Sequence, residues 1–232
     1  METTTTGPVS GMSGTLPPPW TVTRPKGWLR TVADFVLSPL RMVALPDTTC
    51  ERLGLTSLRG ERFAAVLPQL RGRCLDVGAG DNVLLRLHAR QGGDHPEGHV
   101  GVDVVDWGGD CVLVDSADRL PFPDASFDTV CFVACLNHIP ERRAALVETR
   151  RVLRPGGRVV LTMIGRAIGE LGHRLWWYSE DKHRDQHDDE EGGIDRAEML
   201  ALLAEAGFDQ VRVETFCYGL NTLYVGERTS TE

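Results

Sequence analysis

The sequence predicts an α/β protein built on a doubly wound, mostly parallel sheet. From Arg73 onward, short runs rich in Val, Leu, Ile and Cys alternate with segments of helical periodicity. A glycine-rich turn joins the first run to a helix, and an acidic residue closes the second run. Strands that alternate with helices are typical of a parallel sheet covered by helices on both faces.

Seven runs are predicted as strands and three segments as helices. The strands are Cys74–Val77, Val100–Val104, Cys111–Asp115, Thr129–Ala134, Arg158–Met163, Gln210–Thr215 and Leu223–Gly226. The helices are Asn82–Arg90, Glu141–Leu153 and Asp195–Ala206, and Gly and Pro residues follow the last two as stop signals. Only Asp106–Asp110 separates the second and third strands, which is too short for a crossover helix. Either these two strands are not adjacent, or the helix between them is missing.

The first 72 residues do not share this alternation. Residues 1–25 are rich in Thr, Gly and Pro, lack the pattern of a secretory signal, and are predicted to form a disordered leader. Residues 26–72 show apolar residues at helical spacing, interrupted by Pro39, Pro46 and Pro68. They are predicted to form two or three short helices, the N-terminal helical cap. Packing on the main domain, covering a pocket and contact with a membrane surface all remain open for this cap.

Composition excludes several classes of protein. The 232 residues hold 25 Lys and Arg against 33 Asp and Glu, a net charge of −8 that argues against nucleic-acid binding. No apolar run approaches the roughly 18 residues of a membrane span, so no stable membrane insertion is expected. Six cysteines without a C-x-x-C pair indicate buried free thiols in a reducing cytoplasm. We therefore expect a cytoplasmic monomer or homodimer.

The glycine-rich turn and the acid after the second strand predict a ligand site. Glycines at a strand-to-helix turn allow close approach of a ligand, although a simple tight turn is the alternative. A dinucleotide fingerprint would need a third glycine where the chain has Val83, and Asp76 would repel a pyrophosphate. The Asp76 carboxylate suits a ligand with an ammonium or sulfonium charge instead. Asp103 stands where a carboxylate accepts hydrogen bonds from ribose hydroxyls, unless it is a solvated loop residue.

Five segments in this order resemble a known family. They are LDVGAGDN (75–82), VGVD (100–103), LPFPDASFDTV (120–130), LNHIPERRAALVETRRVLRPGGRVVLTM (136–163) and EMLALLAEAGF (198–208). Together they resemble the class I S-adenosylmethionine-dependent methyltransferases, in particular the type 11-like small-molecule branch. The resemblance implies a seven-stranded Rossmann-like sheet, mostly parallel with an antiparallel last strand, in residues 73–232.

The resemblance also implies the cofactor, S-adenosylmethionine, and roles for individual residues. The implied cofactor-binding residues are Asp76, Gly78, Ala79 and Gly80 for the amino-acid end, Asp103 and Val104 for the ribose, Ser116 and Ala117 for the adenine, and Asn137 near the methyl group. At the adenine position the family often has an Asp, and this chain has Ser116 with Asp115 one place earlier.

The implied reaction is methyl transfer to a small-molecule acceptor, for example in secondary metabolism. Such an in-line displacement needs orientation, and a base where the acceptor carries a proton. His138, at the end of the fourth predicted strand, is the first choice as that base, with a structural histidine as the alternative. The histidines favour oxygen as the acceptor atom, followed by nitrogen or carbon.

Residues 165–193 form a long connection that is predicted to be a substrate lid. Trp176, Trp177 and Tyr178 are expected to form a wall of the acceptor pocket, with packing on the cap as the alternative. His183 is a second catalytic candidate that would reach the acceptor when the lid closes. The surrounding segment 180–191 carries seven acids and two bases, which disfavours an anionic acceptor. We interpret it as a hydrated acidic loop and assign no metal.

Two other functions remain open at this point. The chain could bind S-adenosylmethionine without methylation, as a catalyst of another reaction such as cyclisation or as a binding module. A nicotinamide-dependent oxidoreductase is the second, but Asp76 and the missing third glycine argue against it.

Overall fold

The computed structural model describes residues 26–165 and 193–229. Its strands are β1 (Cys74–Val77), β2 (Val100–Asp103), β3 (Val112–Leu113), β4 (Phe127–Val133), β5 (Leu153–Ile164), β6 (Asp209–Phe216) and β7 (Asn221–Glu227). Its α-helices are α1 (Trp28–Val36), α2 (Asp47–Arg52), α3 (Leu58–Val66), α4 (Val83–Arg90), α5 (Arg142–Val152) and α6 (Arg196–Glu205). A π-helical turn spans Leu40–Ala44, and 3-10 turns span Leu67–Gln69, Leu136–His138 and Cys217–Gly219.

The seven strands form one sheet in the order β3-β2-β1-β4-β5-β7-β6. The first five strands run parallel, and β7 is antiparallel to both β5 and β6. The predicted doubly wound, mostly parallel sheet is therefore confirmed. Because β6 runs parallel to β5, its carboxyl end lies at the same edge as the carboxyl ends of β1, β2 and β4.

Helices cover both faces of the sheet, each over its own apolar core. On one face, α5 and α6 contribute Leu146 and Met199 to a cluster with Leu75 and Leu161. On the other face, α3 and α4 pack Phe63, Leu84 and their neighbours against Cys131 and Val160. Strand residues alternate between these clusters, as the two-residue period of a strand requires.

The connection between β2 and β3 decides between the two alternatives from the sequence. The strands are adjacent and parallel, with Val102 opposite Val112, and no helix occurs in residues 104–111. The crossover helix is therefore absent, and β3 is only two residues long where five were predicted. In contrast, β5 begins at Leu153, earlier than predicted, because Leu153 pairs with Phe127 across a register shift.

One helix of the N-terminal helical cap, α1, buries its polar side and exposes its apolar side. In α1 the polar side faces inward: Asp34 is 2% exposed and accepts hydrogen bonds from Thr56 N (2.9 Å) and Oγ1 (2.7 Å). The fully buried Arg41 donates to the Asp34 carbonyl over 2.7 Å and pairs with Glu61 at 3.1 Å. The apolar side faces outward and exposes Trp28, Leu29, Val32, Phe35 and Val36 by 53–75%.

Within residues 26–165 and 193–229, every helix is too short or too polar to cross a bilayer. None of the six cysteines is in a disulfide; Cys50, Cys74 and Cys131 are buried, and Cys111, Cys135 and Cys217 are half-buried. The prediction that the cysteines form no disulfides is confirmed, whereas the predicted burial holds for three of the six.

Candidate cofactor and active site

The predicted site residues come together at the carboxyl edge of the sheet. The turn Gly78–Asn82 follows β1, Val104 and Val105 follow β2, and the 3-10 turn Leu136–His138 follows β4. Parallel strands place these loops side by side around the position where the strand order reverses, between β1 and β4.

The glycine turn is held by its own neighbours. The N–H groups of Gly78 and Ala79 donate to the Val102 carbonyl over 2.9 and 3.1 Å, and Gly80 N–H donates to Asp103 over 2.9 Å. These amides are therefore engaged inside the protein. The turn can therefore approach a ligand through its shape, but not by donating these three N–H groups. Gly78 has φ +71°, and an added Cβ would lie 2.8 Å from the Cys135 Cβ.

Asp103 is fixed in place by two backbone donors. It is 3% exposed, and its two carboxylate oxygens accept from Gly80 N (2.9 Å) and Val105 N (3.1 Å). Each carboxylate oxygen has a further lone pair, so the group retains the capacity to accept two more hydrogen bonds. This arrangement fits the pair of hydroxyl groups on a ribose.

Asp76 is the most perturbed carboxyl group at this edge. Burial raises its pKa to about 7, and the nearby acids Asp103 and Asp81 add to the rise. The Cys131 thiol donates to its Oδ1 over 3.4 Å, and the charge of Arg59 acts in the opposite direction. A ligand with a cationic group would stabilise the ionised form of Asp76. The chemistry of this donor set therefore fits the ammonium and sulfonium charges of S-adenosylmethionine.

Arg59 links the cap to the glycine turn. Its guanidinium makes a bidentate contact with the Asp81 carboxylate, with one N–O distance of 3.0 Å, and lies 5.1 Å from the Phe63 ring centroid. It is the cation that acts on Asp76. The sequence alone does not indicate Arg59, because its partner Asp81 is 22 positions away and the contact forms only in the folded protein. The one indication in the sequence is a basic residue at the start of the helix that precedes the first strand, where it can reach the acids of the glycine turn.

Asn82 takes a left-handed backbone conformation where the turn meets α4. It lies at the start of α4 with φ +57°, in the left-handed region that Asn tolerates better than most residues. Its side chain donates to the Asp110 carbonyl over 3.4 Å. The left-handed conformation thus occurs one residue before position 83, where a dinucleotide fingerprint has its third glycine.

The short connection between β2 and β3 packs directly on the turn. A Cβ on Gly109 would lie 2.5 Å from the Asp81 backbone, and the Cys111 thiol lies 3.3 Å from the Gly80 carbonyl oxygen. Val104, directly after β2, is 58% exposed, and Ala117, four residues after β3, is buried. The Ser116 hydroxyl hydrogen-bonds to Asp118.

Asn137 and His138 lie in the 3-10 turn after β4. Asn137 is 9% exposed, and its Nδ2 lies 3.1 Å from His138 Nε2. His138 is half-buried, so its imidazole combines a fixed neighbour with access to solvent. The structure thus brings His138 to the edge that carries Asp76 and Asp103. The remaining predicted site residues, His183, Trp176, Trp177 and Tyr178, lie outside the described residues, as does the acidic segment 180–191.

A comparison with protein families decides the nature of this domain. The profile described as "Methyltransferase domain" matches residues 75–161, from β1 through most of β5. Residues 75–161 form a methyltransferase domain. The family uses S-adenosylmethionine as its cofactor, in agreement with the acids and the glycine turn described above. The methyltransferase domain therefore contains the turn, Asp103 and His138.

Sequence relatives extend the similarity beyond the matched domain. A ubiquinone/menaquinone biosynthesis C-methyltransferase from Bordetella parapertussis is 28% identical over 193 residues, which cover 71% of this chain and 73% of the relative.

Solved structures share the fold of the methyltransferase domain. A methyltransferase from Thermotoga maritima, described as a possible histamine N-methyltransferase, has a TM-score of 0.57 at 20% identity and covers 74% of this chain and 89% of its own. The [4+2]-cyclase SpnF has a TM-score of 0.53 at 16% identity, covering 74% of this chain and 82% of its own. Two different reactions on one fold show that the reaction depends on the site and not on the sheet.

Proposed function

We propose that the protein transfers a methyl group from S-adenosylmethionine to a small, uncharged acceptor with an apolar body and a hydroxylated ring. The observation that carries this proposal is the outward apolar side of α1 at the edge where the cofactor residues lie. The rings of Phe35 and Tyr218 pack edge to face with their centroids 5.4 Å apart, and Tyr218 lies in the 3-10 turn that follows β6 at that edge. Exposed apolar patches of this kind mark binding surfaces.

The acids of the glycine turn are proposed to hold the cofactor. Asp103 receives the ribose hydroxyls, and Asp76 balances the cationic amino-acid end. Arg59 lies beside Asp81 and limits the accumulation of negative charge on the turn. When bound, S-adenosylmethionine supplies an electrophilic methyl group on a sulfonium.

His138 is proposed to accept the hydroxyl proton of the acceptor. Removing that proton places electron density on the oxygen and, in a conjugated ring, on the neighbouring carbon as well. The histidines alone favoured oxygen, whereas the named relative is a C-methyltransferase. We therefore propose carbon as the acceptor atom: a carbon–methyl bond would form as the methyl–sulfur bond breaks and S-adenosylhomocysteine leaves with the bonding electron pair. The proton on that carbon would then pass to solvent, which restores the ring. Deprotonation by His138 would activate both the oxygen and the neighbouring carbon. The orientation of the acceptor in the pocket would then determine which of the two faces the methyl group.

The proposal is tested with methyl-labelled S-adenosylmethionine and a series of hydroquinones and naphthols that carry alkyl chains of increasing length. We expect methylated product, identified as C-methylated by mass spectrometry and NMR, with KM falling as the chain lengthens. Replacing Val32 with Asp should raise KM for long-chain acceptors at least tenfold and leave short-chain acceptors unaffected. Val147, 52% exposed on α5 and outside the cap, provides the matched control as Val147→Asp.

Two results would overturn the proposal. A preference for phosphorylated or other anionic acceptors would contradict the apolar surface. Tight cofactor binding with no labelled product from any acceptor would favour a reaction other than methylation, or a binding role.

A further inference from the structure

A second cluster of ligand-type side chains lies at the opposite edge of the sheet. Cys74 is the first residue of β1, His99 immediately precedes β2, and His88 lies in the last turn of α4. Because α4 begins at the glycine turn and runs back along the sheet, its end reaches the amino edge of the strands. One ligand atom from each of these three residues lies within 4.8 Å of the other two.

His88 has a free ring nitrogen in a buried position. The residue is 8% exposed, and its Nε2 has no hydrogen-bond partner among the described residues. A buried polar atom without a partner is costly unless something else binds it. The ring lies so close to Gly93 that a Cβ at this glycine would be 2.4 Å from Nε2. The backbone is therefore shaped to seat this imidazole.

His99 is oriented in the manner of a metal ligand. Its Nε2 contacts the Gly93 carbonyl, and since a carbonyl only accepts, Nε2 carries the proton. Its Nδ1 then carries the lone pair and accepts a hydrogen bond from the Cys74 backbone N–H, with 3.2 Å between the two nitrogens, and a metal ion would have to replace this bond. Metal-binding histidines usually donate the other ring N–H to a carbonyl or carboxylate in this way.

Cys74 completes the set with a sulfur ligand. The residue has no exposed surface, and its thiol lies 3.5 Å from the Gly72 carbonyl oxygen and 3.6 Å from that of Arg71. A surface cavity lined by Leu70, His88, Gly93 and Asp94 leads to the cluster and provides an entry path.

We propose that Cys74, His88 and His99 bind one Zn²⁺ ion. One thiolate and two imidazoles are a donor set that zinc prefers, with Zn–S of ~2.3 Å and Zn–N of ~2.0–2.1 Å. Ligand atoms around such an ion lie roughly 3.5 Å apart, so separations of up to 4.8 Å need to shorten by at most about 1.3 Å. Binding converts the thiol to a thiolate and releases its proton to solvent, while both imidazoles bind in their neutral form. The fourth position is left to Asp94, next to Gly93, or to water.

The ion would fasten the connection 91–99 to the start of β1. It lies on the edge opposite the glycine turn, so its role is structural and independent of methyl transfer. Zinc that binds only the folded chain raises the unfolding temperature by mass action.

Cobalt is the probe for this site, because Co²⁺ takes the same tetrahedral ligands and a Co–thiolate bond gives a near-ultraviolet charge-transfer band. Metal-free full-length protein is titrated with Co²⁺, followed by displacement with Zn²⁺. We expect the band to saturate at one equivalent and to disappear as one equivalent of Zn²⁺ is added. Cys74→Ser should abolish the band, and His88→Gln should keep it but weaken Co²⁺ affinity at least tenfold.

Matched controls separate ligation from folding. Cys50→Ser removes another buried thiol, and His95→Gln removes a histidine in the same connection, so both should bind Co²⁺ as the natural chain does. If Cys74→Ser does not fold, as judged by circular dichroism, His88→Gln carries the test. The proposal is wrong if the natural protein gives no charge-transfer band with micromolar Co²⁺, or if the band survives in folded Cys74→Ser. It is also wrong if His88→Gln binds Co²⁺ unchanged.

Discussion

Replacing Asp76 with Asn should stabilise the cofactor-free protein and weaken cofactor binding. Asp76 is 2% exposed, and its pKa of about 7 compares with ~3.9 for an aspartate in an unfolded chain. At ~1.4 kcal/mol per pKa unit, this difference corresponds to about 4 kcal/mol. That is a large fraction of the ~5–15 kcal/mol that stabilises a typical domain.

The sign follows from which state binds the proton. Below about pH 4 both states are protonated, and Asp76 imposes no penalty. Between pH ~4 and ~7 the unfolded chain ionises while the folded chain does not, so the free energy of unfolding falls as pH rises. Above pH ~7 the loss is complete. Asn cannot ionise, so its advantage over Asp should grow from pH 5 and level off near pH 8.

The assay is urea unfolding of both proteins at half-unit intervals from pH 5 to 8, with cofactor affinity measured by calorimetry at pH 7.5. Asp128→Asn is the control with the opposite behaviour. Burial acts to raise the pKa of Asp128, but the Arg73 N–H and the Arg154 guanidinium outweigh it and lower that pKa. The stabilisation from Asp128 is lost only as pH falls below the ordinary aspartate range. The free energy of unfolding of Asp128→Asn should therefore lie below that of the natural protein by a constant amount from pH 5 to 8.

Parallel stability curves for the natural protein and Asp76→Asn over this range would refute the reasoning. So would an Asn variant that binds S-adenosylmethionine as tightly as the natural chain. We expect at least a tenfold loss, since the variant cannot balance the cationic end of the cofactor.

Three further predictions concern the same edge of the sheet. Asp103→Ala should weaken S-adenosylmethionine binding at least tenfold in calorimetry, whereas Asp106→Ala, next to the site, should not; equal affinities would remove Asp103 from the ribose site. Asn82→Gly should unfold in urea with ~1–2 kcal/mol more stability than Asn82→Ala, because position 82 has φ +57°; no difference would contradict the backbone argument. Gly78→Ala should lower the melting temperature more than Gly80→Ala, since both have positive φ but only Gly78 would place its Cβ 2.8 Å from Cys135.

The sheet was predictable because its signals are local. Runs of buried strand residues, a glycine turn after the first and an acid at the end of the second all lie within short stretches of sequence. The family resemblance added the antiparallel β7, which periodicity alone does not indicate. Asp76 and Asp103 were found for the same reason, as residues at the ends of strands.

Features that depend on how distant elements meet were not predictable. The Arg59–Asp81 contact requires knowing that α3 docks beside the glycine turn. The cluster of Cys74, His88 and His99 comes from a strand, a helix end and a loop, and no metal-binding motif connects them. The sequence signal for this cluster is limited to three histidines between positions 88 and 99.

The polarity of α1 shows most directly why sequence and site must be considered together. Its amphipathic pattern was visible, and the usual expectation is that the apolar side packs inward. Burying a side chain such as Phe35 or Val36 is worth roughly 1.5–3 kcal/mol, so the outward orientation forgoes considerable packing energy. What holds it is the buried Asp34 and Arg41, each bonded to Thr56, because rotating α1 would separate the Asp34 carboxylate from its Thr56 donors. An orientation fixed by a charge network at the expense of packing supports the proposal that the apolar side of α1 binds the acceptor.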